Sequence, residues 1–255
     1  MTKKAKEKRK VKKEIEDAVF EDILNSNQGE VDKKKEILNF NFSQITLKNE
    51  KQKQLINKVH ENQITFSSGP AGCGKTFIAL KAALEIVKNN QKYNIHKILI
   101  TKPIVEAGGE SLGFLPGDVS EKTEVYMHSF YSNFNKLIGK VHTKNLVENS
   151  IIKSVPLPYM RGETFDNCIV ILDEAQNTTV TGLKLFLSRI GENAKLIILG
   201  DIDQTDLKFR NGDKSGLEDA FQRFENLKGV AFSTFDENDI VRSSILIELM
   251  KKYKK

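Results

Sequence analysis

The sequence predicts a three-layer α/β domain built on a central, mostly parallel sheet, and three observations lead there. Short apolar runs alternate with stretches of helical periodicity, the pattern of repeated strand and helix units. Cys168-Ile-Val-Ile-Leu and Lys195-Leu-Ile-Ile-Leu are continuous apolar runs, as strands covered on both faces are. The 255 residues, 39% hydrophobic and 29% charged, suffice for a full core with an ordinary globular balance.

In chain order, residues 1–39 form a basic tail carrying a short amphipathic helix. Ile15, Val19 and Ile23 recur at helical spacing, with Phe20 and Leu24 widening the stripe, which predicts a helix over 13–25. Ser26 to Gly29 breaks it, a Lys-rich stretch follows, and the compact domain, 40–255, begins near Phe40. Ile64 to Ser68 reads as a strand, followed by a Gly-rich turn and a helix from Thr76 to Asn89. Lys97 to Thr101 is a second strand and Ser154 to Leu157 a weaker third. The two continuous apolar runs supply the fourth and fifth, and Gly229 to Thr234 the sixth. In the insert from about 110 to 150, Tyr126, Phe130, Tyr131 and Phe134 could stack on bases. Val125, Phe134 and Ile138 also make a core-facing helical stripe, the better reading.

Composition excludes several classes. No run approaches ~18 apolar residues, so no spanning helix is expected. The basic start gives way to Glu14, Glu16 and Asp17 where a signal peptide needs an apolar segment, so a cytoplasmic protein is expected. Cys73 and Cys168 cannot build a disulfide framework or a four-thiolate zinc site. His60, His96, His128 and His142 lack metal-ligand spacing and read as structural or exposed. The net charge of +6 belongs to the tail: residues 1–13 hold eight Lys or Arg against Glu7, leaving the body at −1. Such a tail is a solvated arm or a salt-sensitive contact for phosphate backbones or an acidic partner.

Gly69-Pro70-Ala71-Gly72-Cys73-Gly74-Lys75-Thr76 fits the phosphate-loop pattern between a predicted strand and a predicted helix. The glycines let the backbone approach phosphates where no Cβ would fit. The helix start presents amide groups to the anion, Lys75 reaches the β- and γ-phosphates, and the Thr76 hydroxyl ligates Mg²⁺. Cys73 is a loop filler. The fourth strand runs into Asp173 and Glu174, the first placed to bind Mg²⁺ through water and the second to polarise an attacking water. The fifth ends in Gly200-Asp201-Ile202-Asp203-Gln204, where Gln204 could sense the γ-phosphate or orient the water. Three parallel strand ends thus converge on the edge where open α/β sheets bind ligands.

These motifs, with Thr101 to Gly108, Leu112 to Asp118, Met160 to Thr164, Asp173 to Thr178 and Asp239 to Arg242, resemble the PhoH family of P-loop ATPases over roughly residues 45–253. That family is similar in turn to the nucleotide-binding half of superfamily 1 helicases, so a RecA/helicase-like P-loop NTPase fold is implied. Lys102 stands where the family commonly has Arg, Cys73 where Thr is usual, and Ser243-Ser244 where His-Pro is common. The resemblance implies ATP and Mg²⁺ as cofactors, with Gly69 to Thr76 and Phe77 around the nucleotide. It implies Gln52 as the residue reading the adenine edge, Gln54 being the competing candidate. It implies Arg242 as an arginine finger, with Arg161 as a weaker alternative, acting in trans if subunits complete the site. Lys102, Glu106 and Gly108-Gly109 correspond to a region that contacts single strands in helicases.

A two-lobed helicase closes ATP between RecA-like lobes, and this chain has one. The resemblance therefore implies a homo-oligomeric ring, a hexamer, acting on RNA or single-stranded DNA, and a link to phosphate starvation. Two rivals are an ATP-driven regulatory or assembly switch without unwinding, which the Asp173-Glu174 pair disfavours, and a nucleoside kinase. A thymidine kinase-like enzyme would carry a Cys-rich zinc element, and two cysteines are too few.

Overall fold

The structure, a computed structural model, describes residues 37–103, 119–155, 157–160, 164–206 and 214–241. The expected helix over 13–25 lies outside these residues. So do Glu106, Gly108, Gly109, Arg161 and Arg242, and the side chains of Val125 and Tyr126. The chain divides into two units, Met1–Asn41 and Phe42–Lys255, and the sheet and cleft belong to the second.

Six strands form one sheet: β1 (Ile64–Ser68), β2 (Lys97–Thr101), β3 (Ile152–Ser154), β4 (Cys168–Leu172), β5 (Lys195–Gly200) and β6 (Val230–Thr234). Their order is β3-β2-β4-β5-β1-β6 and every pairing is parallel. The weak third strand begins two residues earlier than its sequence pattern suggests: Ile152 and Ser154 pair with Ile98 and Ile100. Pro156 has no N–H for a ladder, and the chain passes into a 3₁₀ turn at Leu157–Met160.

Seven helices are described: α1 (Glu50–Glu61), α2 (Lys75–Lys88), α3 (Asn90–Tyr93), α4 (Val119–Ile138), α5 (Lys140–Glu148), α6 (Val180–Leu187) and α7 (Gly216–Arg223). One sheet face packs Phe66, Val170, Leu172, Leu196 and Ile198 against Leu183 and Phe186 of α6 and Leu217 and Ala220 of α7. The other face is covered by α1 and α2, and α4 packs against α2. Eight buried side chains of α2, Ile78 to Val87, make it the central helix of that layer. Every residue of β4 is buried, which is why its sequence shows no alternation.

Phe130, Phe134, Leu137 and Ile138 of α4 are all buried, so the insert's described aromatic stripe is core, with Tyr131 half-buried. No helix among the described residues is long and apolar enough to cross a membrane.

Candidate functional site

Because the sheet is wholly parallel, β1, β4 and β5 end on one edge, and β5 lies between the other two. The loop after β5 therefore runs between the glycine-rich turn after β1 and the acids after β4. Gly69 N–H donates to the Gly200 carbonyl at 3.2 Å and Ile202 N–H to Ser68 Oγ at 3.1 Å. A cleft of about 860 Å³ opens over this edge, within the usual size of a small-molecule site.

The cleft begins at the N-terminus of α2. Helices α1, α6 and α7 are each capped by a side chain, from Asn49, Thr179 and Ser215. Helix α2 instead starts from Gly74 in the left-handed region (φ 88°), with no side-chain cap. Gly74 to Phe77 line the cleft. First-turn N–H groups without a capping side chain, at the positive end of a helix dipole, form an anion site. Lys75 Nζ donates to the Gly69 carbonyl and, at 3.1 Å, to that of Pro70, so the ammonium is folded back over the turn. Cys73 is buried with its thiol on the Pro70 carbonyl at 3.1 Å. Burial pushes this thiol up, which makes it a filler rather than a nucleophile.

Thr76 Oγ1 lies 3.2 Å from both carboxylate oxygens of Asp173. This set, a hydroxyl and a carboxylate with no nitrogen or sulfur, suits a hard divalent cation such as Mg²⁺. Asp173 is only 5% exposed. Burial pushes its carboxyl above its ordinary value; the Lys102 ammonium 3.6 Å away pulls the other way.

Glu174 takes a left-handed backbone (φ 57°) that turns the chain out of β4, and its side chain borders the cleft. Gln176, given no role by the sequence, holds it: Nε2 donates to Glu174 Oε2 at 2.8 Å while Oε1 accepts from Asp201 N–H at 3.0 Å. Asn177 adds a two-way link to Asp206, at 2.9 and 2.8 Å. The loops after β4 and β5 are thus stitched into one unit. Its only advance signal was a pair of amide residues one position after the acids.

At the far end of the cleft, Gln52 is 4% exposed whereas Gln54 faces solvent. Gln52 Nε2 donates to the Cys73 carbonyl at 3.0 Å, and Oε1 accepts from Lys48 N–H at 2.8 Å. A Cβ on residue 74 would stand 3.0 Å from that amide nitrogen, a second reason for glycine there.

The structure brings Gln52, Ala71, Gly72, Gly74, Lys75, Thr76, Phe77, Asp173, Glu174 and Gln204 around this cleft. Arg242 is outside the described residues, but its chain neighbour Val241 lines the cleft and donates to the Gly72 carbonyl at 3.0 Å.

Comparison with known proteins places the chain in a family. The PhoH-like protein of Bacillus subtilis is 42% identical over 211 residues, covering 83% of this chain and 64% of the relative. The PhoH-like protein of Synechocystis is 39% identical, covering 83% and 62%. Protein PhoH of Escherichia coli is 38% identical over 213 residues, covering 83% and 58%. The chain spans about three fifths of the length of these curated relatives. Among solved structures, the Pif1 helicase from Candida albicans matches 82% of this chain and 44% of its own at 17% identity and a TM-score of 0.41. The family described as PhoH-like protein matches residues 44–254, which contain the whole sheet and every cleft residue. With its phosphate loop, strand-end acids and parallel sheet, this chain has a P-loop NTPase fold and belongs to the PhoH family.

Proposed function

We propose that this protein is a cytoplasmic, Mg²⁺-dependent ATPase. The observation that carries the reading is the meeting of Thr76 and Asp173 at the uncapped start of α2, with Glu174 alongside. Triphosphate binding draws Lys75 off the Gly69 and Pro70 carbonyls onto the β- and γ-phosphates, and the first-turn amides of α2 hold the same anion. Mg²⁺, held by Thr76 and, through water, Asp173, would neutralise phosphate charge. Glu174, kept in place by Gln176, takes the proton of the attacking water, and Gln204 orients that water.

Gln52 supports adenine over guanine. Its two existing bonds leave one N–H and one oxygen lone pair, a donor beside an acceptor. Adenine offers the matching N7 acceptor and N6 donor, whereas guanine offers two acceptors.

The family resemblance extends the reading to a hexameric ring that remodels RNA or single-stranded DNA, with Arg242, or failing it Arg161, reaching the γ-phosphate of a neighbouring site.

The test is the ATPase rate per subunit against protein concentration, with and without single-stranded RNA and DNA, alongside the mass of the assembly. Glu174→Gln should bind ATP yet hydrolyse about 10²–10⁴-fold more slowly. Unchanged hydrolysis by that variant would sink the assignment. A monomer with a concentration-independent rate, indifferent to either polymer, would retire the ring and leave a nucleotide-driven switch.

A further inference from the structure

Lys102 follows the last residue of β2 and does not line the cleft. Its ammonium lies 3.6 Å from Asp173 Oδ2. The same ammonium lies 4.8 Å from the centre of the Phe130 ring on α4. Both partners are buried: the Asp173 side chain is 7% exposed and Phe130 1%. One lysine thus touches the metal-facing carboxylate and the helix of the insert. The Asp173 backbone cannot follow its side chain, because its N–H is fixed to the Thr101 carbonyl at 2.9 Å.

We propose that Lys102 is a positioning residue coupling the metal position at Asp173 to helix α4. The inference rests on the nucleotide and metal reading of the cleft. With the carboxylate free, the ammonium is shared between two electrostatic partners, an anion and the negative face of an aromatic ring. A divalent cation held at that carboxylate, directly or through water, also repels the ammonium. Lys102 is then held less firmly at Asp173, the tie from Asp173 through Lys102 to Phe130 loosens, and α4 is no longer braced against the metal-facing carboxylate. Coupling of this kind is reciprocal, so whatever grips α4 also shifts the affinity for the metal–nucleotide pair.

The experiment is hydrogen exchange across residues 119–138 of the full chain, with ADP plus Mg²⁺ against ADP plus chelator, nucleotide binding being measured in parallel by calorimetry. Exchange around Phe130 should rise about threefold or more with Mg²⁺ in the native protein. Lys102→Arg, which keeps a cation able to face both partners, should preserve the response. Lys102→Met should bind ADP and lose it. A Lys102→Met protein responding as the native one does overturns the proposal. So does a native α4 that is indifferent to Mg²⁺ while ADP binding is measured, an arm that needs no variant to fold and leaves the ATPase reading standing. If no adenine nucleotide binds at all, that reading falls and this inference with it.

Discussion

At the edge where the strands begin, Asn94, Asn167 and Asn193 all adopt the left-handed backbone, each just ahead of a strand. The Asn94 and Asn193 side chains both donate to Asn167 Oδ1, at 3.1 and 3.0 Å. Nearby, Lys195 Nζ donates to the carbonyls of Val59, His60 and Asn62 at the end of α1. At the opposite edge, Lys75 rests on two carbonyls of its own turn, Asp173 is buried between the Thr76 hydroxyl and the Lys102 ammonium, and α2 has no side-chain cap. Of six non-glycine residues with positive φ among those described, five precede strands; the sixth is Glu174. Where polar groups close on one another they hold the fold. Where they converge around a cleft they await a ligand, and strain there has a use.

The contrast can be broken in order of expected effect. Gln176→Ala removes the group that holds Glu174 and ties it to Asp201, so turnover should fall about 10–100-fold, the usual cost of losing an outer partner. Nucleotide affinity measured by calorimetry should change little; an unchanged turnover would show that Glu174 needs no such support.

Gly200→Ala strikes the same stitch through packing. Its Cβ would meet Gln176 Oε1 at 2.5 Å and Leu217 Cδ2 at 2.6 Å. We expect about 1–3 kcal/mol lost in denaturant unfolding, with turnover reduced as well.

Asn167→Ala, at the quiet edge, should cost about 1–2 kcal/mol from lost hydrogen bonds and left-handed strain. The ATPase rate per folded molecule should be untouched. A fall in rate would show that the two edges are not independent.

The smallest effect concerns Glu85, which joins α2 to α1 through His60 at 3.0 Å and bonds Lys81. Burial pushes its carboxyl up, but hydrogen bonds from His60 and Lys81 outweigh this and hold it below its ordinary value. The folded carboxyl therefore titrates below the unfolded one. Its stabilisation is complete above the ordinary unfolded value of 4.5 and fades as pH falls through the folded one. The stability gap between the native protein and Glu85→Gln, under about 1 kcal/mol, should narrow in acid unfolding curves below that pH.

What could be read from the chain itself was what short-range order carries. Five of the six strands lie where the sequence places them, most plainly β4 and β5, whose continuous apolar runs reflect burial on both faces. The third was misplaced because three residues pairing on only one side leave little pattern. The phosphate loop was legible because its groups are bonded neighbours whose geometry follows from glycine and a helix start. Other facts depended on residues distant in sequence. Strand order put β5 between β1 and β4, so that Gln176 could reach Asp201. One face of α1 buried Gln52 and left Gln54 in solvent. The end of β2 set Lys102 between Asp173 and Phe130. Local spacing dictates which groups are available; which of them meet is decided by packing of the sheet and its helices, since contact energy between residues far apart in the chain exists only once the core has closed.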